Sequence, residues 1–542
     1  MQRISWAVGL IAAVTVPQFL LGLGDRNIWT PLEARYALVA REMLDAGHWV
    51  LPHLGGEVYA DKPPLLFWSI ALVSAFGSGV TEWSARLPTA LAAIAVCLVT
   101  WRMGVRLFSA STGFLAALVL ATSGGFLWSG RQALPDMLLT LWITGACWAL
   151  CEWCMGKGRQ AAIMAGVCMG LATLTKGPVG VVLPTLSGLV YLTVRRHFHS
   201  PELSGRDVLM GGGAFLGVTL TWFVPAVAQG GMQYAQVTLL HHSLERYVSA
   251  WEHSAPWYFY LGAFPAEFLP WTLFLPQVLI TGVNQRPHRG REGWWFALCW
   301  LVTILGFFSL STGKRDIYIL PAFPAAALLV GWVWSCWWRR VPDLGSTWAT
   351  CLPGLGLALA FGGLAIGVWG AVDGLLPSRS TLLLPATTEM GLWSGSLFMM
   401  TGLLLGSAAI ARRTRLLFAA IVGCTWLTML LMVVVVYTPQ FNQRYPIKSF
   451  AATISAHIAP DRPLRLCGPM NDLALRFNLG RFVPELHHPS EVIRFLGGEE
   501  EAFCVIAAED YQRLADLTGQ RFPVVARQEF DRATLLLISN RW

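Results

Sequence analysis

Four stretches of this sequence set chargeable side chains against long apolar runs, where charge is expensive. The first is Trp29-Thr30-Pro31-Leu32-Glu33-Ala34-Arg35-Tyr36. Pro31 suits the first turn of a helix, and Glu33 beside it is favoured by the helix dipole. The second is Tyr59-Ala60-Asp61-Lys62-Pro63-Pro64-Leu65, a cation just before an apolar run. The third, Arg131-Gln132-Ala133-Leu134-Pro135-Asp136-Met137, puts a carboxylate at the mouth of another. The fourth gathers Lys176 in Thr175-Lys176-Gly177-Pro178 and Lys314, Arg315 and Tyr318 in Gly313-Lys314-Arg315-Asp316-Ile317-Tyr318. An ionisable group at the edge of hydrocarbon is a functional candidate by default. Glu33 and Asp136 have the chemistry to accept a proton or hold a cation, and the lysines and arginines to hold an anion. Plainer readings stand beside these: an amphipathic surface helix for Glu33 and Arg35, snorkelling for Lys62, a helix N-cap for Asp136.

The elements that must position these residues follow from composition. Of 542 residues, 55% are hydrophobic and 13% charged, about half the charged share of a soluble protein. Mean hydropathy is +0.53. This excludes an ordinary soluble enzyme, a disordered chain and a small disulfide scaffold. The apolar runs do not alternate with polar residues, which excludes an outer-membrane barrel. The 26 Trp and 28 Phe suit rings at membrane interfaces. The cysteines lie mostly in apolar runs, without metal spacing, and read as packing residues.

About thirteen spans are expected, near Trp6–Leu23, Leu87–Trp101, Thr112–Trp128, Met137–Cys154, Ala161–Thr175, Val179–Val194, Met210–Ala228, Trp257–Ile280, Trp294–Leu310, Ile317–Trp337, Thr350–Val372, Gly391–Ala411 and Leu416–Val436. The run Pro63–Gly79 is about as long as a short span but opens on Pro-Pro and closes on Gly-Ser-Gly. Basic residues decide its place. If it lies in the interface, Arg102, Arg106, Lys157, Arg159, Arg195, Arg196, Arg206, Arg286, Arg289, Arg291, Arg339, Arg340, Arg412, Arg413 and Arg415 all fall on one side. That side is cytoplasmic by the positive-inside rule. The N-terminus is then inside. The first loop, residues 24–86, lies outside with juxtamembrane helices. The few external cations (Arg35, Arg41, Lys62, Arg131, Lys176, Arg246, Lys314, Arg315) point to anionic partners.

The sequence therefore divides into a membrane domain, 1–438, and a small C-terminal α/β extracytoplasmic domain, 439–542. In the latter, strands are expected at Leu464–Cys467, Phe482–Val483, Phe503–Ala507, Val524–Ala526 and Thr534–Ile538. Helices are expected at Ile447–Ile458, Asn471–Phe477, Pro489–Leu496 and Glu509–Leu517. No Gly-rich phosphate fingerprint is present, so no nucleotide cofactor is expected.

In combination these motifs resemble the membrane glycosyltransferases that use polyprenyl-phosphate-linked sugars. Within them the sequence is most similar to the lipid A 4-amino-4-deoxy-L-arabinose transferases, relatives of the protein O-mannosyltransferases. Besides the stretches above, the resemblance rests on Gly47-His48-Trp49-Val50-Leu51-Pro52-His53-Leu54, Glu245-Arg246-Tyr247, His253-Ser254-Ala255-Pro256-Trp257-Tyr258 and Leu269-Pro270-Trp271. It implies a GT-C fold, a bacterial inner-membrane location, and inverting transfer from undecaprenyl phosphate to lipid A or another envelope acceptor. By the same resemblance Asp136 and Glu33 are catalytic and able to hold a divalent metal ion. Lys62, Arg35, Lys176, Lys314 and Arg315 bind the donor phosphate. Tyr36, Tyr59, Asp61, His253 and Tyr318 line the substrate cavity. His53, His241 and His242 are further helpers. No nucleic-acid partner is implied. One position departs: the family places an Asp immediately before this Glu, and here it is Leu32. Asp136 or Glu33 then works alone, the acceptor is already a good nucleophile, or the chain is a weak paralogue. Transferases or ligases for other envelope glycans, and lipid transporters, share enough architecture to stay open.

Overall fold

The computed structural model describes residues 2–196, 204–238, 254–284, 290–339, 348–372, 388–411, 413–459, 461–467, 472–531 and 533–541. Among these, six helices are long and apolar enough to cross a membrane: Glu82–Leu107, Pro135–Lys157, Gly205–Met232, Arg291–Leu310, Asp316–Trp338 and Thr414–Arg444. The pair Phe259–Glu267 and Trp271–Gly282, bent by 107°, makes a seventh if counted as one span. Shorter apolar helices lie at Trp6–Leu20, Leu65–Ala75, Ala110–Ala121, Val179–Val194, Pro353–Ala365 and Gly395–Ile410. The Leu65–Ala75 helix has 11 residues. At 1.5 Å each it rises about 16 Å, half of a hydrocarbon core of about 30 Å.

Two expected spans are broken. The Thr112–Trp128 run ends its first helix at Ala121 and restarts as Gly124–Ser129. The hydroxyls of Thr122 and Ser123 turn back onto the Leu118 and Val119 carbonyls. The Gly124 N–H then leaves the helix for the Leu269 carbonyl at 3.0 Å. The Trp257–Ile280 run bends where Pro265 and Pro270 remove N–H donors. Both breaks bring polar backbone and side chains to the same end of the bundle. The aromatic residues also differ from expectation. Trp271, Trp300 and Trp334 are fully buried in the bundle core rather than at an interface.

The first loop is a structured layer. Pro31–Ala46 starts on Pro at its first turn and stops at Gly47, whose φ of 73° only glycine adopts readily. A hairpin of His53–Leu54 and Glu57–Val58 turns through Gly55 and Gly56, both at positive φ. The Glu42 carboxylate accepts both glycine N–H groups, at 2.6 and 3.1 Å. Thr81 and Ser84 cap the Glu82–Leu107 helix reciprocally.

After Arg444 a five-stranded sheet forms in the order Glu485–Leu486, Leu464–Cys467, Phe503–Ala507, Thr534–Ser539, Val524–Glu529. The first three strands run parallel and the remaining pairings are antiparallel. Helix Ile447–His457 leads into the sheet, and helices Asp472–Leu479, Pro489–Leu496 and Ala508–Thr518 connect its strands. The expected strand at Phe482–Val483 lies three residues later, because Val483 is buried in the core while Glu485 and Leu486 pair with Leu466 and Cys467. This sheet shares one hydrophobic core with the first loop: Ile28, Ala37, Phe67 and Val80 pack in the same cluster as Phe450, Phe477 and Leu537. Arg41 ties the two, donating to the Phe477 carbonyl at 2.7 Å and the Val80 carbonyl at 2.9 Å.

Candidate functional site

Glu33 is the electrostatic centre of the first loop. Its side chain is 1% exposed. It accepts from Arg26 at 2.8 Å, from Arg86 at 3.0 and 3.2 Å, and from the Ala133 N–H at 3.0 Å. Burial pushes its carboxyl pKa up, but Arg26, Arg86 and the Ala133 N–H outweigh it and hold the group at about 2. Arg86 also donates to the Leu23 and Arg26 carbonyls, and Arg131 donates to those of Gln18 and Leu21 at 2.7 Å each. Arg26 lies over the rings of Trp128 and Phe441. Arg131 and Arg41 make their hydrogen bonds inside the protein. Main-chain carbonyls receive both.

The bond from Ala133 to Glu33 fixes the turn that leads into Asp136. The Pro135–Glu152 helix begins with Leu134 at its cap, so Asp136 sits in the first turn and is not the N-cap. Its carboxylate forms an ion pair with Lys176, from the last turn of Arg159–Lys176. Lys176 also lies 4.4 Å from the centre of the Tyr318 ring. Asp136 and Arg315 are both within electrostatic reach of Tyr36, as are Arg35 and Asp61. Burial first, then Asp136 and Asp61, push the Tyr36 phenol up, so it stays protonated at neutral pH. Burial, Tyr36 and Asp61 do the same for Tyr59. Phe67 seats both tyrosines, with ring centres at 5.9 and 6.0 Å. Arg35 faces Asp61 at 4.0 Å, and its Nε is buried without a hydrogen-bond partner among the described residues. Lys62 is half-buried, with its ammonium 3.0 Å from the Asp61 carbonyl.

The structure thus brings together Asp136, Lys176, Tyr318, Tyr36, Tyr59, Arg35, Asp61 and Arg315, with Lys62 adjoining through Asp61. Two expected members stand apart. Lys314 is buried in its own turn with its ammonium on the Ser311 carbonyl. Glu33 has its acceptor positions filled by Arg26, Arg86 and Ala133, so it organises the loop and is not placed to take a proton. His253, His241, His242 and the Glu245-Arg246-Tyr247 motif lie outside the described residues. His53 bonds to the Leu51 carbonyl at 2.8 Å, as a loop residue does. Arg26 and Arg86 were missed by sequence reasoning. The one available signal was energetic: a glutamate inside an apolar first turn needs a cation, and Arg35, the nearest in sequence, points along another stripe.

A divalent ion at these carboxylates would compete with cations already there: Asp136 pairs with the Lys176 ammonium through Oδ1, and Glu33 with two guanidinium groups. Among the described residues no three His, Cys, Asp or Glu side chains gather as a metal site.

A family model described as dolichyl-phosphate-mannose-protein mannosyltransferase matches residues 61–227. The undecaprenyl phosphate-alpha-4-amino-4-deoxy-L-arabinose arabinosyl transferase of Edwardsiella ictaluri (strain 93-146) is 30% identical over 334 residues, 60% of this chain and 58% of that protein. The protein of the same name from Pseudomonas aeruginosa (strain LESB58) is 33% identical over 321 residues, 58% of this chain and 57% of its own. The match therefore spans less than two thirds of these relatives. The crystal structure of ArnT from Cupriavidus metallidurans bound to undecaprenyl phosphate superposes with a TM-score of 0.79 at 22% identity, covering 99% of this chain and 98% of that one. The chain has the GT-C fold of that structure and resembles the aminoarabinose transferases in sequence.

Proposed function

We propose that this protein is a glycosyltransferase of a bacterial inner membrane. It moves a sugar, 4-amino-4-deoxy-L-arabinose, from undecaprenyl phosphate to lipid A or a related envelope acceptor. The observation that carries this reading is the Asp136–Lys176 pair beside Tyr36, Tyr59, Arg35 and Arg315, at one end of the helical bundle under the structured first loop. The relatives' names and the undecaprenyl phosphate in the ArnT structure supply the donor class.

The chemistry follows from the groups present. An acceptor oxygen attacks the sugar C1 from the face opposite the lipid phosphate, inverting the centre. The C1–O bond breaks, and undecaprenyl phosphate leaves with an added negative charge. Arg35, Lys62 and Arg315 are placed to receive that charge. A lipid A phosphate oxygen is already anionic, so it needs positioning more than deprotonation. Asp136, its charge shared with Lys176, then orients the acceptor or sugar, or takes a proton from a hydroxyl acceptor. Tyr36 and Tyr59 remain protonated donors. Purified protein incubated with labelled undecaprenyl-phosphoryl aminoarabinose and lipid A tests the reading. Product is expected, and its absence with every envelope acceptor tried would overturn it.

Lys62→Ala is expected to lower kcat by on the order of 10²–10³, the usual cost of removing one charge-stabilising partner, with folded yield unchanged. Near-normal turnover would make Lys62 a head-group contact.

The topology proposal is thirteen spans: the seven above, five of the shorter apolar helices, and Arg159–Lys176, with Leu65–Ala75 kept at the surface. The N-terminus is then cytoplasmic and the sheet after Arg444 external. Leu517 is exposed, so Leu517→Cys is expected to react with a membrane-impermeant maleimide in unlysed spheroplasts. Reaction only after lysis would reverse the orientation.

A further inference from the structure

Arg315 borders a second space. A cavity of about 180 Å³ lies between the Gly124–Ser129 helix, the Gln132 turn, the end of Phe259–Glu267 and the start of Asp316–Ala322. That is the volume of roughly six waters at about 30 Å³ each, the scale of one monosaccharide and too small for a lipid chain. Its polar lining is Ser129, Gln132, Glu267, Arg315 and Asp316. Ser129 is 7% exposed. Among the described residues, the Ser129 hydroxyl, the Gln132 amide, the Glu267 carboxylate and the Arg315 guanidinium have no hydrogen-bond or ion-pair partner. The local structure keeps these groups apart and in place. Tyr260 accepts from the Arg315 N–H at 3.3 Å and donates to its carbonyl at 3.0 Å. A Cβ at Gly125 would overlap the Glu267 carboxylate, so glycine there leaves the carboxylate its position.

None of these groups is a fully buried, unpartnered atom, so they stay solvated, and a ligand that takes the space must offer each a partner in place of solvent. An unpaired carboxylate and an unpaired guanidinium in one sugar-sized cavity match a ligand with a cation at one end and an anion at the other. Arg315 lines this cavity and also acts electrostatically on Tyr36, as Asp136 does. We propose that this cavity is the sugar pocket of the donor, with Glu267 receiving the ammonium group of an amino sugar, Ser129 and Gln132 its hydroxyls, and Arg315 its phosphate. This rests on the transferase reading and adds to it the groups that choose an amino sugar over a neutral one.

The test uses the full-length protein and two synthetic donors, undecaprenyl-phosphoryl 4-amino-4-deoxyarabinose and undecaprenyl-phosphoryl arabinose. Wild type is expected to prefer the amine donor in kcat/KM. In Glu267→Gln the ratio between donors is expected to fall by about 10–10²-fold, the loss of one hydrogen bond to a charged group. Gly125→Ala, which displaces the carboxylate without removing it, should lower the same ratio, and covers the case in which Glu267→Gln does not fold. An unchanged ratio in the folded variants overturns the pocket. If wild type transfers neither donor, the transferase reading fails. Equilibrium binding of the two donors then decides the pocket separately: preference for the amine donor, lost in Glu267→Gln, supports it, and equal binding of both donors by wild type overturns it.

Discussion

Asp136→Asn is expected to abolish sugar transfer, lowering kcat by 10²-fold or more while the protein still folds. Asparagine keeps the volume of the side chain and its place in the first helical turn. It removes the negative charge that pairs with Lys176, and with it the capacity to accept a proton. Lys176 keeps the face of the Tyr318 ring, a favourable but weaker contact for a cation. Glu33 does not replace Asp136, because it is locked between Arg26 and Arg86, and Asp61 is held opposite Arg35. The companion variant is Leu32→Asp. Leu32 lies four residues before Tyr36, so both share one helical face, and that face meets the field of Asp136. Leu32 is only half-buried against the shared core, so an Asp there is tolerated. Its activity is expected to equal or exceed wild type. Wild-type turnover by Asp136→Asn would remove Asp136 from the chemistry. Transfer by Leu32→Asp but not by wild type would make Leu32 the mark of a weak paralogue.

How much of this was legible beforehand depended on whether the signal was local. Pro31 beside Glu33, and Pro135 beside Asp136, announce helix starts within a few residues, and both helices begin there. The short apolar runs Phe503–Ala507 and Thr534–Ile538 gave strands within a residue of the observed Phe503–Ala507 and Thr534–Ser539. The break after Ala121 was not legible, because Thr122 and Ser123 read as ordinary small residues until their hydroxyls are seen on carbonyls one turn back. Nor was the Glu33 clamp. Arg26 and Arg86 are 7 and 53 residues from Glu33 and become its partners only when two helix ends and a loop converge. Composition could not tell the interior Trp271, Trp300 and Trp334 from exposed ones such as Trp6 and Trp257, since a large bundle offers an interior as well as an interface. Motif resemblance grouped Lys314 with Arg315 because they are adjacent, yet their side chains part: Lys314 closes its own turn, and Arg315 faces the cavity.

Glu33→Gln is expected to cost about 3–5 kcal/mol of stability, the usual result of leaving buried cations without their anion. Glutamine can still accept from the Ala133 N–H, so the turn keeps a partner, but Arg26 and Arg86 would share a buried space with only carbonyls to balance them. The unfolding temperature in detergent reads the loss directly. Acid separates this role from a catalytic one. With its pKa held at about 2, below the usual carboxylate range, Glu33 contributes stability that is complete above about pH 4.5 and is lost as pH falls toward 2. That shift corresponds to about 3 kcal/mol. The stability gap between wild type and Glu33→Gln should therefore be constant from pH 8 to 5 and close progressively below pH 4.5. A gap that is absent at neutral pH, or that does not narrow in acid, would show that the clamp does not hold the loop. Because the same carboxylate fixes Ala133, three residues before Asp136, whatever folded Glu33→Gln remains should also lose turnover. That loss should be smaller than in Asp136→Asn, since the charge that meets the substrate is still present and only its aim is loosened.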